Sequence, residues 1–103
     1  HLSTIVEKMS TNPARVWNML KKGEIKKGYD SDLVLIDLNK EKTIRNSEQQ
    51  TKSGWSPWNG EKITGWPETV WVHGRKVFSK DKINHSRKGK EVLFDKELKG
   101  FWG

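Results

Sequence analysis

Ser53-Gly54-Trp55-Ser56-Pro57-Trp58-Asn59-Gly60, Thr64-Gly65-Trp66-Pro67 and Val70-Trp71-Val72-His73-Gly74-Arg75-Lys76-Val77-Phe78 form the stretch on which the reading of this chain turns. Three of the six Trp residues fall within twelve positions, each beside a Gly or a Pro. Gly permits a tight backbone and Pro fixes φ, so a bulky indole beside either is held in place by the chain itself. The Trp-rich part therefore predicts a shaped loop and not a flexible linker. Val70 to Phe78 predicts a strand, with Trp71, His73, Arg75 and Val77 on one face and Val70, Val72, Lys76 and Phe78 on the other. Gly74 is the place where a bulge would shift that register.

Upstream, Leu33-Val34-Leu35-Ile36 is a continuous apolar run of strand length, the pattern of a strand covered on both faces. Asp30 and Asp32 before it suit side-chain bonds to a turn. Lys42 to Arg45 suggests a short second strand, and Asn46 to Ser53 a polar loop. Nearer the start, Ser3 is a candidate N-cap for a short helix through Met9, with Leu2, Ile5, Val6 and Met9 as its buried stripe. Ser10 to Asn12 then predicts a break, with Pro13 opening a second helix that carries Met19 and Leu20 and stops at Gly23. Downstream, Ser79 to Lys82 reads as a hairpin turn, Ile83 begins a short return, and Glu91 to Phe94 is a last strand candidate. Beyond Asp95, Phe101 and Trp102 are the residues able to pack.

Three blocks resemble the closing segment of dihydroorotases, cyclic-amide hydrolases of the amidohydrolase superfamily. Ser10-Thr11-Asn12-Pro13-Ala14-Arg15-Val16-Trp17 is similar to the Asn-Pro-Ala-Arg helix start that follows the last barrel strand. Lys22-Gly23-Glu24-Ile25-Lys26-Lys27-Gly28-Tyr29-Asp30-Ser31-Asp32-Leu33-Val34-Leu35-Ile36-Asp37 looks like the superfamily's Gly–Asp–Ala–Asp turn leading into an apolar strand, with Ser31 in place of Ala. The Trp-rich stretch is the third block, with Trp58 where Phe is more common. The resemblance runs from about Leu2 to Phe94, and the three blocks keep the family's order.

Composition narrows the rest. Of the 103 residues 32% are apolar, below the ~45–50% usual for soluble domains, which implies a small core with packing partners absent. No apolar run approaches the ~18 residues of a membrane span. The chain has no Cys, hence no disulfide framework or thiolate metal site, in keeping with a cytoplasmic protein. The net charge of +7 sits on the flanks: residues 1–28 carry six Lys/Arg against two acids and residues 75–103 nine against four. Such flanks could draw polyanions, and Trp residues interleaved with Lys52, Lys62 and Arg75 could hold single-stranded nucleic acid or a Pro-rich peptide. The family pattern accounts for the same Trp residues as packing between a barrel and its β-subdomain.

No catalytic constellation is legible. His1, His73 and His85 are scattered, without a His-x-His pair. Asp30, Asp32 and Asp37 lack the Gly and terminal Glu of a calcium loop, and Ser56 has no base at informative spacing. No residue of this chain is therefore assigned a catalytic, cofactor-binding or metal-ligating role. The resemblance implies zinc in the parent enzyme, on ligands upstream of this chain.

The fold expected is α+β: a short N-terminal helix pair, then a small, mostly antiparallel β-subdomain of three to five strands, the C-terminal part of a barrel-plus-β-sandwich amidohydrolase. Residues 1–22 would close the parent barrel, 23–94 would belong to a composite β-sandwich, and 95–103 would be a tail. The resemblance implies a parent that interconverts N-carbamoyl-aspartate and dihydroorotate in pyrimidine synthesis. The alternatives are a dihydropyrimidinase, an allantoinase, a non-catalytic relative, or a small basic aromatic binding module. The implied partners are the missing N-terminal part of the same polypeptide and, where unpaired edges remain, a second copy. No membrane and no specific nucleic acid are expected.

Overall fold

The structure is a computed structural model that describes residues 1–85 and 89–95; the expected tail beyond Asp95 falls outside these. The helical segment comes first. Two short α-helices, α1 (Leu2–Val6) and α2 (Asn12–Val16), are joined through the π turn Glu7–Thr11. The separation of two helices is present, but as a π turn and not as a capped break: Thr11 and Asn12 stay helical, and Asn12 donates its N–H to the Glu7 carbonyl. Pro13 gives this turn a physical reason, because a proline inside a helix removes a donor and crowds the carbonyl four residues back. Ser3 does not cap the first helix; His1 occupies that position with no side-chain cap.

The second helix ends earlier than Gly23. Asn18 takes a left-handed conformation at φ 52°, Met19 N–H donates to Ala14 O and Asn18 N–H to Arg15 O. These two bonds are the paired closure of a Schellman motif. Met19 and Leu20 therefore leave the helix, and Met19 forms an antiparallel bridge with Phe94. Leu20 N–H donates to Leu93 O, so the last strand candidate survives as this single bridge.

The sheet has four antiparallel strands in sequence order: β1 (Leu33–Thr43), β2 (Lys62–Val72), β3 (Arg75–Ser79) and β4 (Lys82–Ile83). Lys42 and Thr43 extend β1 and do not form a strand of their own. Thr64 to Pro67, expected as loop, lies within β2. Ile36 opposes Pro67 directly after Leu35 opposes Thr69, which leaves Glu68 as a bulge beside the proline that cannot donate. Leu38 to Lys40 bow out opposite Gly65, which sits at φ 95°.

The single strand expected over Val70 to Phe78 is a hairpin. Val72 pairs with Arg75 across His73 and Gly74, whose φ values of 49° and 70° make the tight turn that matches strand twist. The two-face assignment made for that stretch is therefore replaced by β2 and β3 lying side by side. Lys80 and Asp81, also at positive φ, turn β3 into β4 as Ser79 to Lys82 predicts.

Burial is sparse. Ala14 and Thr69 are the buried residues among those described, each still 6% exposed. The Cα radius of gyration is 16.2 Å, against about 13 Å for a compact domain of this length. The helical stripe Leu2, Ile5, Val6 and Met9 is exposed, and so is every residue of Leu33 to Ile36, because no described element covers either.

Ala14 is buried where the helix meets Gly23. Ser10 Oγ and Thr11 Oγ1 both donate to the Gly23 carbonyl, at 3.3 and 2.9 Å. A Cβ on Gly23 would lie 2.5 Å from Ala14 Cβ and 2.9 Å from Ser10 O, at a φ of 91°. Gly23→Ala is expected to loosen the helix from the following turn by about 2 kcal/mol, the sum of left-handed strain and overpacking. Faster amide hydrogen exchange across residues 11–20 would show it; unchanged exchange would contradict the close-approach argument.

Candidate functional site

The most connected polar site lies where the helical segment, the Gly28–Asp32 turn and the β2–β3 hairpin meet. Tyr29 N–H donates to Lys26 O and Asp30 N–H to Lys21 O, both at 3.0 Å, which sets the turn under Lys22. Lys22 Nζ then reaches two carboxylates: Asp30 Oδ2 at 3.1 Å and Asp32 Oδ2 in a direct hydrogen bond. The other oxygen of Asp32 accepts the His73 backbone N–H at 3.0 Å, and Gly74 N–H donates to Ser31 O. His73 Nδ1 stands 3.9 Å from Asp30 Oδ1. Three segments thus converge on one ammonium and two carboxylates.

The electrostatics follow from that contact. Its hydrogen bond to Lys22 holds the Asp32 carboxyl below its ordinary range, helped by the His73 amide and opposed by desolvation. The bond to Asp32 raises Lys22, also against desolvation. Lys22 already supplies the cation that two adjacent carboxylates attract. Among the described residues no group of three or more His, Cys, Asp or Glu converges in a way that could hold a metal. These residues do not fit a zinc site, and no catalytic step is assigned to them.

An apolar groove of about 710 Å³ opens beside this junction. Leu2 and Val6 of the helix form one wall, and Val34, Ile36 and Leu38 of β1 form the other, with Ile25 at the mouth. β1 is hydrogen-bonded to β2 on one edge and to no described strand on its other edge. Val34, Leu35 and Leu38 are 50% exposed or more, so both faces of this edge strand are open as well.

The Trp stretch forms a braced loop between β1 and β2. Ile44 N–H donates to Glu61 O, and Gly60 N–H returns to Ile44 O at 2.7 Å, closing its base. Across the middle, Asn46 N–H donates to Asn59 Oδ1 and Ser56 N–H to Asn46 Oδ1, each at 2.8 Å. Ser56 Oγ accepts the Trp58 N–H, the part of a turn residue. Trp55 and Trp58 project outward at 57% and 63% exposure. Trp66 instead packs within β2, with Lys42 Nζ 4.7 Å above its ring and bonded to Asp81.

The sequence reading placed Asp30 and Asp32 in a structural turn, where they are found. Asp37 lies apart from them, accepting the Asn39 N–H inside β1. His73 stands in the hairpin turn, and His1 and His85 are far from it in sequence and exposed. Lys22 and the Asn46–Asn59 brace were not singled out beforehand. Their partners lie up to ten and thirteen positions away, beyond any local pattern.

The Lys22–Asp32 contact carries a pH dependence whose sign is fixed by the depressed carboxyl. Its contribution is complete above the unfolded carboxyl range near pH ~4 and is lost as pH falls through the lower folded value. Because both side chains are part-exposed, Asp32→Asn is expected to cost only about 1 kcal/mol at neutral pH. It should cost less at acidic pH below the ordinary carboxyl range of ~4, where the contribution of the depressed carboxyl is being lost. Urea titrations of both chains at the two pH values check this; an equal loss at both would separate the effect from the carboxylate's charge.

Comparison with known proteins fits this geometry. The profile of the Amidohydrolase family matches residues 1–77. The dihydroorotase of Pyrococcus abyssi is 36% identical over 89 residues, covering 86% of this chain and 22% of that protein. The dihydroorotase of Pyrococcus horikoshii is 34% identical over 99 residues, covering 96% and 24%. Among solved structures, a D-hydantoinase superposes at TM-score 0.73 with 32% identity, covering 80% of this chain and 18% of its own. The L-hydantoinase (dihydropyrimidinase) of Arthrobacter aurescens gives 0.73 at 29%, covering 81% and 19%. The chain spans about a fifth of the length of these relatives. With an antiparallel sheet following a short helical segment, and with three-quarters of its length matched, this chain belongs to the amidohydrolase family.

Proposed function

We propose that this chain is the C-terminal, non-catalytic part of a longer dihydroorotase-like cyclic amidohydrolase. The observation that carries the reading is the outer edge of β1: an eleven-residue strand whose first four residues, Leu33 to Ile36, present apolar side chains on both faces, with no described strand paired to that edge. Unpaired strand edges and open apolar faces are features that folded proteins ordinarily cover. Strands from elsewhere in the same polypeptide would complete the sheet and fill the groove beneath the helix. The rest of that polypeptide would hold the zinc and the residues that interconvert N-carbamoyl-aspartate and dihydroorotate, in the cytoplasm. This chain would supply a platform: the Lys22 junction orients helix and hairpin, and the braced loop aims Trp55 and Trp58 at the remaining body of the enzyme.

A hydantoinase or dihydropyrimidinase parent is the second reading, favoured by the fold's superposition on hydantoinases at TM-scores of 0.73 to 0.75. The curated sequence relatives, dihydroorotases at 34–38% identity, favour the first. A protein encoded with the residues upstream of His1, assayed for ring opening of dihydroorotate and of hydantoin in parallel, separates the two. No membrane partner enters the proposal: among the described residues no helix is long and apolar enough to cross a bilayer.

Two outcomes follow for the isolated chain. It is expected to open no dihydroorotate ring and to retain no stoichiometric zinc after dialysis; turnover by the isolated chain, or one tightly held metal ion per chain, would sink the platform reading. It is also expected to self-associate through the β1 edge. The charge of +7 opposes association and salt screens it, so sedimentation should report a larger mass at high salt than at low salt. A monomer at both, with a cooperative thermal transition, would mean that the chain closes its own sheet.

A further inference from the structure

We propose that the Asn59–Gly60 peptide is a site of spontaneous covalent modification whose reactivity is gated by closure of the Trp-bearing loop. Asn59 is the one Asn in this sequence followed by Gly, and a following residue without a Cβ leaves its nitrogen unhindered. The reaction needs no cofactor. The Gly60 nitrogen gives up its proton to base and attacks Asn59 Cγ; the bond from that carbon to the side-chain nitrogen breaks, and ammonia leaves. Water then opens the cyclic imide at either carbonyl, leaving aspartate or isoaspartate at position 59.

Both reacting groups are engaged in the closed loop. The Gly60 N–H is donated to Ile44 O at 2.7 Å, so its proton faces a carbonyl and not solvent base. Asn59 Oδ1 accepts the Asn46 N–H at 2.8 Å, which fixes the carboxamide away from free rotation. Asn59 N–H donates to Ser56 O and Glu61 N–H to Trp58 O, pinning the peptide on either side. The Asn46 contact also polarises the Asn59 carbonyl, which by itself would favour attack. The constraint outweighs it, because attack requires the Gly60 nitrogen to be deprotonated and the peptide plane to turn, and each step breaks a bond of the closed state.

The modification is a one-way latch. Isoaspartate routes the backbone through the side-chain carbon and displaces Gly60 from Ile44. The base pairing of Ile44 with Gly60 and Glu61 cannot then re-form, and the two exposed indoles lose their fixed presentation. A chain whose loop is held shut, by its own bonds or by whatever covers Trp55 and Trp58, stays unmodified; a chain left open accumulates the product. This inference stands on the loop alone and does not depend on which enzyme the chain belongs to.

The test is a time course at mildly alkaline pH, with digestion and mass spectrometry of the peptide that carries Asn59. The intact chain is compared with a synthetic peptide spanning residues 55–64 and with Asn46→Ala, which removes the acceptor for Ser56 N–H. The peptide is expected to convert about tenfold faster than the intact chain, the factor that a net loss of one or two hydrogen bonds implies. Asn46→Ala should fall between them. Gly23→Ala, which loosens the helix far from this loop, should react like the unmodified chain and serves as the control for general destabilisation. An intact chain that reacts as fast as the peptide, an Asn46→Ala rate equal to that of the parent chain, or a Gly23→Ala rate as fast as Asn46→Ala would each overturn the proposal.

Discussion

The antiparallel ladder between β1 and β2 is the interaction on which the remainder of this structure depends. It joins residues 33–43 to residues 62–72, spans the whole Trp-bearing loop, and places β2 between two neighbours. Thr69 is buried because it sits at the centre of that arrangement, facing Leu35 on one side and Ser79 on the other. With so little apolar surface enclosed, backbone pairing carries what a hydrophobic core would carry in an ordinary domain. The ladder tolerates Gly65 and Pro67 in the middle of β2 by shifting register twice, which bends β1 outward over Leu38 to Lys40.

The helix is attached by polar means. Ser10 and Thr11 hold the Gly23 carbonyl, and Lys22 holds the two carboxylates of the turn that precedes β1. Part-exposed ion pairs contribute modestly to stability, so this junction sets orientation more than it adds free energy. Orientation is what a platform requires. The same junction ties the His73–Gly74 turn to the residues just before β1, so hairpin, strand and helical segment share one set of contacts. The apolar groove lies between elements whose spacing is already set, and a covering strand would enter a preformed site.

The loop between β1 and β2 follows the same principle on a smaller scale. Its backbone is braced by two bonds through Asn side chains, Asn46 N–H to Asn59 Oδ1 and Ser56 N–H to Asn46 Oδ1, and by two backbone bonds at its base, not by burial. Indoles carried on a hydrogen-bonded loop lose less backbone entropy when a partner arrives than indoles on an unbraced one would. That economy suits the proposed contact with the rest of the enzyme.

Much of this was legible in the residues themselves. The block order Asn12-Pro13-Ala14-Arg15, then Asp30-Ser31-Asp32, then the Trp stretch identified the family, because those blocks record local backbone shapes that recur wherever the fold does. The apolar run from Leu33, the Lys80–Asp81 turn and the scarcity of core were visible for the same local reason. What the sequence left undecided depends on distant partners. Whether Val70 to Phe78 runs on or folds back hinges on His73 adopting a positive φ, and an Asp32 carboxylate forty-one positions away accepts that residue's amide. Whether Thr64 to Pro67 is loop or strand hinges on β1 lying alongside and bulging to receive it. The sequence by itself determined the family, the composition of the elements and the shortage of core, since each follows from neighbouring residues. The tertiary structure alone decided the hairpin and the Lys22 junction, since each is a contact between segments far apart along the chain.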